Sequence, residues 1–269
     1  MLSMQTASLS YAFSAPAAPS RASVRMETKE DLQALAVAQN PTVGFWDPIG
    51  LADANLFDLG EEGSIGWLRH AEIKHGRVAM AGFVGYCLQS NGIVFPWALT
   101  GGPLSTEGST MFSDIAAAGA PPDQWDALPT AAKLQFLGFI GLLEAVGETA
   151  QPHYTKGGKP GFYPSLKSAS NVPHPVPFDL YDPFGLFKMD DATKERRLLM
   201  EVNNGRLAMI GIFSFLCAAK GLEVPPLADI IPPYSGDPMG PFSESDASLP
   251  FVADMLAGTK GMFAGIGNN

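Results

Sequence analysis

The chain has 269 residues, of which 46% are apolar and 16% are charged, and its formal net charge is −10. The charged fraction is well below the roughly 25% of ordinary globular domains, which favours a protein that faces lipid over part of its surface. The acidic balance argues against nucleic acid as a partner, because no basic stripe is available to neutralise phosphates.

The N-terminal segment has the composition of a targeting sequence. Its first 26 residues are rich in Ser and Ala, include Arg21 and Arg25, and contain no Asp or Glu. This composition is typical of an organelle transit peptide. Residues 12–16, Ala-Phe-Ser-Ala-Pro, resemble the phenylalanine-containing plastid entry signal of algae with complex plastids. We predict a plastid transit segment and flexible N-terminus over residues 1–39, a core domain over residues 40–221 and a tail over residues 222–269.

Three apolar segments have the length of membrane-spanning helices. They cover residues 64–89, 130–148 and 192–220. Asp190 and Asp191 suit the N-terminus of the third helix, and Gly221 suits its C-terminal end. Each segment is less uniformly apolar than a simple membrane helix, so hydropathy alone leaves a soluble helical bundle open.

The charges outside these segments alternate between the two ends of the helices. Residues 92–130 contain four acids and no Lys or Arg, residues 151–189 contain four lysines, and the chain after residue 221 contains six acids against Lys260. This is the positive-inside pattern for three crossings, with the N-terminus on the basic side. Lys133, at the acidic-side start of the second helix, does not fit the pattern. We predict an all-α membrane protein with three transmembrane helices.

One short motif occurs twice, in the first and third helices. Residues 72–80 read Glu-Ile-Lys-His-Gly-Arg-Val-Ala-Met, and residues 201–209 read Glu-Val-Asn-Asn-Gly-Arg-Leu-Ala-Met. Residues three apart share a helix face. Glu72 therefore projects with His75, and Glu201 projects with Asn204.

The arginine of each copy is expected to pair with the glutamate of the other. Arg77 lies five residues after Glu72, and Arg206 lies five after Glu201, so neither easily reaches its own glutamate. A charge near mid-membrane costs roughly 2.5–3.5 kcal/mol. If each glutamate paired with the arginine of the other helix, both glutamates and both arginines would be neutralised. Small residues in both motifs would allow the close crossing. We predict that the first and third helices cross as a pseudo-two-fold pair with ion pairs Glu72–Arg206 and Glu201–Arg77.

A second repeat precedes each motif. Residues 46–51 read Trp-Asp-Pro-Ile-Gly-Leu, and residues 181–186 read Tyr-Asp-Pro-Phe-Gly-Leu. Asp-Pro followed by Gly favours a turn. A turn and a motif helix that are each used twice indicate an internal duplication, with the middle helix unpaired between the copies.

The two repeats together resemble the chlorophyll-binding light-harvesting antenna family over roughly residues 45–220. The resemblance implies four axial ligands to the magnesium of chlorophylls, which accepts oxygen and imidazole: Glu72, His75, Glu201 and Asn204. It implies further chlorophylls in the middle helix, at Gln135 and Glu144. It also implies that the two turns hold the ends of two carotenoids, through Asp47, Pro48, Asp182 and Pro183.

The loop between the second and third helices resembles that of chlorophyll a/c antennae of secondary-plastid algae. The implied cofactors are chlorophyll a, chlorophyll c and xanthophyll carotenoids. The implied location is the plastid thylakoid membrane, with a stromal N-terminus and a lumenal tail. The implied partners are a photosystem core, neighbouring antenna subunits and thylakoid lipids. Many family members carry a ligand where this chain has Ala218. His70 is expected at the membrane interface, and His153 and His174 are weaker candidates for peripheral pigments.

Two other functions remain open on the sequence. A photoprotective member of the same family would dissipate excitation through acids that face the acidic compartment; the candidates are Asp114, Asp123, Asp126, Glu223 and Asp229. A di-iron carboxylate enzyme would use a Glu-x-x-His pair such as residues 72–75. The second copy ends in Asn204, however, and an arginine beside each ligand set disfavours a dication cluster. The expected function is an antenna subunit that passes excitation to a photosystem and performs no catalysis.

Overall fold

A computed structural model describes residues 27–100, 109–167, 179, 182–184, 189–225, 227, 229–236 and 240–263. Its helices in chain order are α1 (Lys29–Gln39), α2 (Gly60–Ser90), α3 (Phe112–Ala116), α4 (Pro121–Asp126), α5 (Thr130–Gly147), α6 (Asp191–Ala219) and α7 (Val252–Phe263). Two short strands, β1 (Ala98–Thr100) and β2 (Thr110–Met111), pair in the antiparallel sense.

The three long helices lie where the apolar segments predicted them. α5 and α6 agree with the expected limits to within one residue, and α2 begins four residues earlier than expected. The early start follows from Glu61 and Glu62 in the first turn of α2, where negative charge is favourable. Asp190 caps α6, because its side chain accepts a hydrogen bond from the backbone N–H of Thr193 at 3.1 Å.

Two of the long helices, α5 and α6, are long and apolar enough to cross a membrane. α2 is longer, with 31 residues, but its first half carries charged side chains. The outer surface of α5 is strongly apolar, and within this helix only Lys133 and Gly147 are buried. The exposed apolar side chains of α5 include Leu134, Phe136, Phe139, Ile140 and Leu142. A helix of this composition needs lipid or a bound apolar molecule against it.

α2 and α6 form the closest helix pair, and two glycines lie at their contact. A Cβ atom built on Gly76 would lie 3.0 Å from the Cα of Gly205, and one built on Gly205 would lie 2.9 Å from the Cα of Gly76. Both positions therefore have no room for a side chain. Glycine at such contacts lets two backbones approach closely enough to gain dispersion energy along their length.

Three segments have more structure than the sequence suggested. α1 lies inside the segment expected to be flexible, and a capping box between Thr28 and Asp31 begins it. The connection between α2 and α5 contains the β1–β2 pair and the short helices α3 and α4, so the fold is mostly rather than entirely helical. The tail contains α7, which buries Val252 and Leu256.

The tail also explains Lys133, which did not fit the charge pattern. Its Nζ atom lies 2.6 Å from Oδ2 of Asp246, and neither side chain is exposed to solvent. The same ammonium donates to the carbonyl of Asp126 and to the hydroxyl of Ser243. Burial alone would raise the pKa of Asp246, but hydrogen bonds from Lys133, the Ser243 N–H and Thr130 lower it to about 2. The lysine is therefore neutralised inside the protein at this end of α5.

Candidate functional site

Two reciprocal ion pairs join α2 and α6 on either side of the glycine contact. Nε of Arg77 lies 2.6 Å from Oε1 of Glu201, and Nε of Arg206 lies 2.6 Å from Oε1 of Glu72. Each pair combines one charge from each helix, as the spacing of the motifs predicted. The arrangement leaves no net charge on either pair, although four formal charges lie in the middle of the helix crossing.

The two pairs differ in their surroundings. Nη1 of Arg69 donates to the second carboxylate oxygen of Glu72, and Nε of Arg69 lies 3.6 Å from Glu27. Arg69 is almost fully buried. Removal of Arg206 therefore would not leave Glu72 without a cation, contrary to the expectation from the motifs alone. Arg69 stands three residues before Glu72, a spacing that brings side chains together on a helix and could have predicted this contact.

The pair formed by Arg77 has a different second partner. Nη1 of Arg77 donates to the carbonyl oxygen of Gly161 at 2.7 Å. Gly161 has a φ of +72° and lies against Ile73, so a Cβ atom there would come within 2.6 Å of that side chain. The second oxygen of Glu201, Oε2, has no hydrogen-bond or ion-pair partner among the described residues. It is available to a further ligand.

The neutral ligand candidates of the two motifs are exposed on the helix surface. Nδ1 of His75 lies 2.8 Å from the carbonyl oxygen of Ala71 and must donate to it, because a carbonyl only accepts. In the neutral ring, Nε2 therefore carries the lone pair, and this tautomer can bind a metal through Nε2. The side chain of Asn204 is also exposed and has no partner in the part of the chain that the structure describes.

The ligand candidates of α5 lie apart from the helix crossing. Gln135 is exposed near the start of this helix. Glu144 is exposed near its end, where Nζ of Lys74, from α2, forms an ion pair with it. Tyr163 donates from its hydroxyl to the carbonyl of Leu143 at 3.2 Å and anchors the same end of α5.

The first predicted turn is present. The carboxylate of Asp47 accepts hydrogen bonds from the N–H groups of Leu51 and Ala52, at 3.0 and 2.9 Å. These bonds lower the pKa of Asp47, the bond from Ala52 contributing most. Gly50 has a φ of +67°, and Ile49, which follows Pro48 in the turn, is 79% exposed.

The second predicted turn is described in part. Asp182 lies in a bend with a φ of +53°, Pro183 and Phe184 form the turn that follows it, and Phe184 is 73% exposed. Gly185 and Leu186 lie outside the described residues. The exposed Phe184 corresponds in the repeat to the exposed Ile49 of the first turn, so each turn presents an apolar side chain outward.

The other histidines are engaged within the protein. His70 is buried under the loop after α5, stacks on Tyr154 with ring centroids 3.8 Å apart, and accepts a hydrogen bond from the N–H of Gly161. Both ring nitrogens of His153 have partners, Thr155 and Glu148, so neither is free for a pigment. His174 lies outside the described residues. Ala218 is buried and offers no ligand atom.

The donor set fits large apolar rings that carry a magnesium ion. The candidate ligands are oxygen atoms and one imidazole nitrogen, and such ligands suit magnesium. The neutral ligands are exposed, whereas Glu72 and Glu201 are half-buried in the helix crossing. Glycines beside the candidate ligands leave flat open surfaces: a Cβ atom on Gly82, Gly85, Gly138 or Gly141 would meet no atom within 4 Å. An open pocket of about 730 Å³ lies between the second half of α2, α4 and the segment that follows α6, and its lining includes Gly85, Tyr86, Trp125, Phe136 and Tyr234.

Comparison with known proteins agrees with this chemistry. A family model described as Chlorophyll A-B binding protein matches residues 32–220. Fucoxanthin-chlorophyll a-c binding protein B, chloroplastic, from Phaeodactylum tricornutum is 32% identical over 209 residues, which cover 77% of this chain and 89% of that protein. The corresponding protein of Trieres chinensis is 30% identical over 211 residues (75% and 85%), and protein D of Macrocystis pyrifera is 30% identical over 186 residues (68% and 84%).

Proposed function

The chain belongs to the chlorophyll A-B binding protein family, and on this basis we propose how it works as a light-harvesting antenna subunit of the plastid. The family consists of pigment-binding proteins and not of enzymes, so the di-iron alternative is set aside. The subunit binds chlorophylls a and c together with xanthophyll carotenoids, as its fucoxanthin-chlorophyll relatives do by name. The bound pigments absorb light, and the protein fixes their spacing, orientation and local charge.

The proposed architecture has three membrane spans, α2, α5 and α6, of which α2 and α6 cross as a pseudo-two-fold pair. The reciprocal ion pairs and the Gly76–Gly205 contact support the two-fold relationship. At about 1.5 Å per residue, 31 residues reach about 46 Å, more than the roughly 30 Å of membrane hydrocarbon. The charged first half of α2 can therefore lie partly outside the membrane. The lysine-rich loop after α5 faces the stroma in this proposal, and α7 faces the thylakoid lumen.

Four side chains of the crossing would hold chlorophyll magnesium: Glu72, His75, Glu201 and Asn204. Gln135 and Glu144 would hold further chlorophylls on α5. The two Asp-Pro turns, with Asp47, Pro48, Asp182 and Pro183, would hold carotenoid ends against Ile49 and Phe184. The photosystem core, neighbouring antenna subunits and thylakoid lipids would cover the exposed apolar surface, and pigment excitation would pass to the photosystem.

The observation that carries this proposal is the neutrality of the crossing. Each motif glutamate faces an arginine of the other helix, so magnesium ligation there leaves no net charge at membrane depth. Glu201 keeps one oxygen free for the metal, whereas the second oxygen of Glu72 also accepts from Arg69. The neutral ligands, His75 and Asn204, need no such partner. Both are exposed with a free ligand atom.

The ligand assignment can be tested with adjacent asparagines. Asn203 and Asn204 are both exposed on α6, but Asn203 donates to the carbonyl of Gln39. We expect Asn204→Val to lose one chlorophyll per protein after refolding with extracted pigments, and Asn203→Val to keep the full number. Pigment chromatography against protein concentration measures the difference. Equal chlorophyll content in the two variants would contradict the assignment of Asn204.

A further inference from the structure

Glu144 has no cation of its own helix beside it. The one basic residue of α5 is Lys133, eleven positions earlier, and its ammonium is buried against Asp246 at the other end of the helix. The cation beside Glu144 comes instead from α2, because Nζ of Lys74 pairs with Oε2 of Glu144. α5 thus receives a counter-charge from a helix that it otherwise contacts little.

The side chain of Lys74 is packed between α2 and the C-terminal end of α5, close to Glu144. The lysine side chain is 24% exposed, and Nζ lies 3.5 Å from the position that a Cβ atom of Gly147 would occupy. Gly147 is buried, and this separation is an ordinary van der Waals contact, so the ammonium of Lys74 lies against the C-terminal end of α5. Lys74 also lies 3.9 Å from Glu148, but that carboxylate already accepts from Tyr154 and contacts His153.

Glu144 remains open to a further ligand although it is paired. Its side chain is 56% exposed, and Oε1 has no partner among the described residues. Glu201 in the helix crossing has the same arrangement, because Arg77 pairs with one of its carboxylate oxygens and leaves the other free. In each case a carboxylate on one helix is neutralised by a cation from another helix.

We propose that Lys74 is the counter-cation that lets Glu144 hold the magnesium of a chlorophyll on α5. Lys74 is a positioning residue, since it acts through Glu144 and does not itself contact the pigment. This inference rests on the proposed function. Glu144 would be a third magnesium ligand whose charge is compensated by a cation of another helix, after Glu72 and Glu201. Pigment binding on α5 would then depend on a residue of α2.

A purely structural role for Lys74 makes a different prediction from a charge-compensating one. If the lysine only tethers α5 to α2, any loss of the ion pair should disturb the site. If it compensates charge, a neutral ligand at position 144 should bind without it. Glutamine is such a ligand, because an amide oxygen suits magnesium and carries no charge that must be neutralised.

The test compares four variants refolded with extracted pigments: Lys74→Met, Glu144→Gln, the double variant of these two, and Glu144→Leu. Exposed Lys156, replaced by Met, is the control for loss of a lysine at the same end of the protein. Chlorophyll per protein is measured by pigment chromatography, and far-UV circular dichroism checks helix content. We expect Lys74→Met and Glu144→Leu each to lose one chlorophyll, and Glu144→Gln, the double variant and Lys156→Met to keep the full number.

The chlorophyll content of these variants distinguishes a charge-compensating role of Lys74 from a purely structural one. Loss of chlorophyll from the double variant, or full retention in Lys74→Met, would overturn the charge-compensating role. Full retention in Glu144→Leu would show that Glu144 is not a ligand and would also overturn this proposal. The antenna function would survive either result, because it does not depend on a ligand at position 144; the ligand assignment at the helix crossing is tested separately at Asn204.

Discussion

Gly76 of α2 lies directly against Gly205 of α6, so that a methyl group on either residue would come within about 3 Å of the other backbone. The two ion pairs of the crossing lie one and four residues away from these glycines in sequence. The distance between the helices therefore controls both pairs at once. Packed backbones respond to an added methyl group by a rigid displacement, because interiors have little free volume.

Gly205→Ala should weaken both ion pairs together. Overpacking typically costs about 1–3 kcal/mol, and the displaced helices would separate Arg77 from Glu201 and Arg206 from Glu72. We expect a lower temperature of pigment release and a reduced chlorophyll content. Gly258→Ala, on the exposed face of α7 with no atom within 4 Å, is the control and should leave both quantities unchanged or slightly improved. Equal effects of the two substitutions would refute the close-contact argument.

Arg77→Leu should be more damaging than Arg206→Leu. Glu72 keeps Arg69 as a cation when Arg206 is lost, whereas Glu201 has no second cation among the described residues. An unpaired charge near mid-membrane costs roughly 2.5–3.5 kcal/mol. We expect the larger loss of chlorophyll and of thermal stability in Arg77→Leu.

A second substitution isolates the charge effect at this position. Arg77 also bonds to Gly161, so some of the loss could arise from the loop. Adding Glu201→Gln to Arg77→Leu should restore most of the chlorophyll, because the amide needs no cation. No recovery in the double variant would assign the loss to the loop contact.

Lys133→Met should release the tail from α5. Asp246 would stay buried without its cation, and an uncompensated buried charge costs about 3–5 kcal/mol. We expect faster limited proteolysis after residue 240 and a lower unfolding temperature. Replacing both partners, in Lys133→Met with Asp246→Leu, should recover much of the stability, since an apolar pair of similar volume is often tolerated. A double variant as unstable as the single one would show that the surrounding hydrogen bonds matter more than the charge.

The tail should stay docked at pH 5 and come loose only in stronger acid. The pKa of Asp246 is lowered from 3.8 to about 2 in the folded protein. A lowered carboxyl pKa contributes stability that is fully present above about pH 4 and is lost as the pH falls through about 2. Hydrogen exchange in residues 240–256 should therefore be unchanged between pH 7.5 and 5, after correction for the intrinsic rate, and should rise between pH 4 and 2. A rise already at pH 5 would contradict the low pKa of Asp246 and point to an acid-sensitive tail.

The sequence by itself determined the positions of the three long helices, the internal repeat, and the expectation that the glutamate of each motif pairs with the arginine of the other. The lengths of the apolar segments predicted the positions of α2, α5 and α6, although only α5 and α6 are long and apolar enough to cross a membrane. The five-residue spacing from Glu to Arg disfavours pairing within a helix, and the duplicated motif supplies the partner. Both arguments are local, since they depend only on helix geometry and on the cost of charge in an apolar medium.

Only the tertiary structure decided which charges meet across the chain. Asp246 reaches Lys133 over 113 positions, Lys74 reaches Glu144 over 70, and Glu27 comes within 3.6 Å of Arg69. No periodicity predicts such contacts, because they depend on how the loops and the tail fold back onto the helix ends. The repeat suggested two equivalent halves, but each half acquired different neighbours. That difference, with Arg69 and Glu27 on one side and Gly161 on the other, makes the two glutamates chemically unequal.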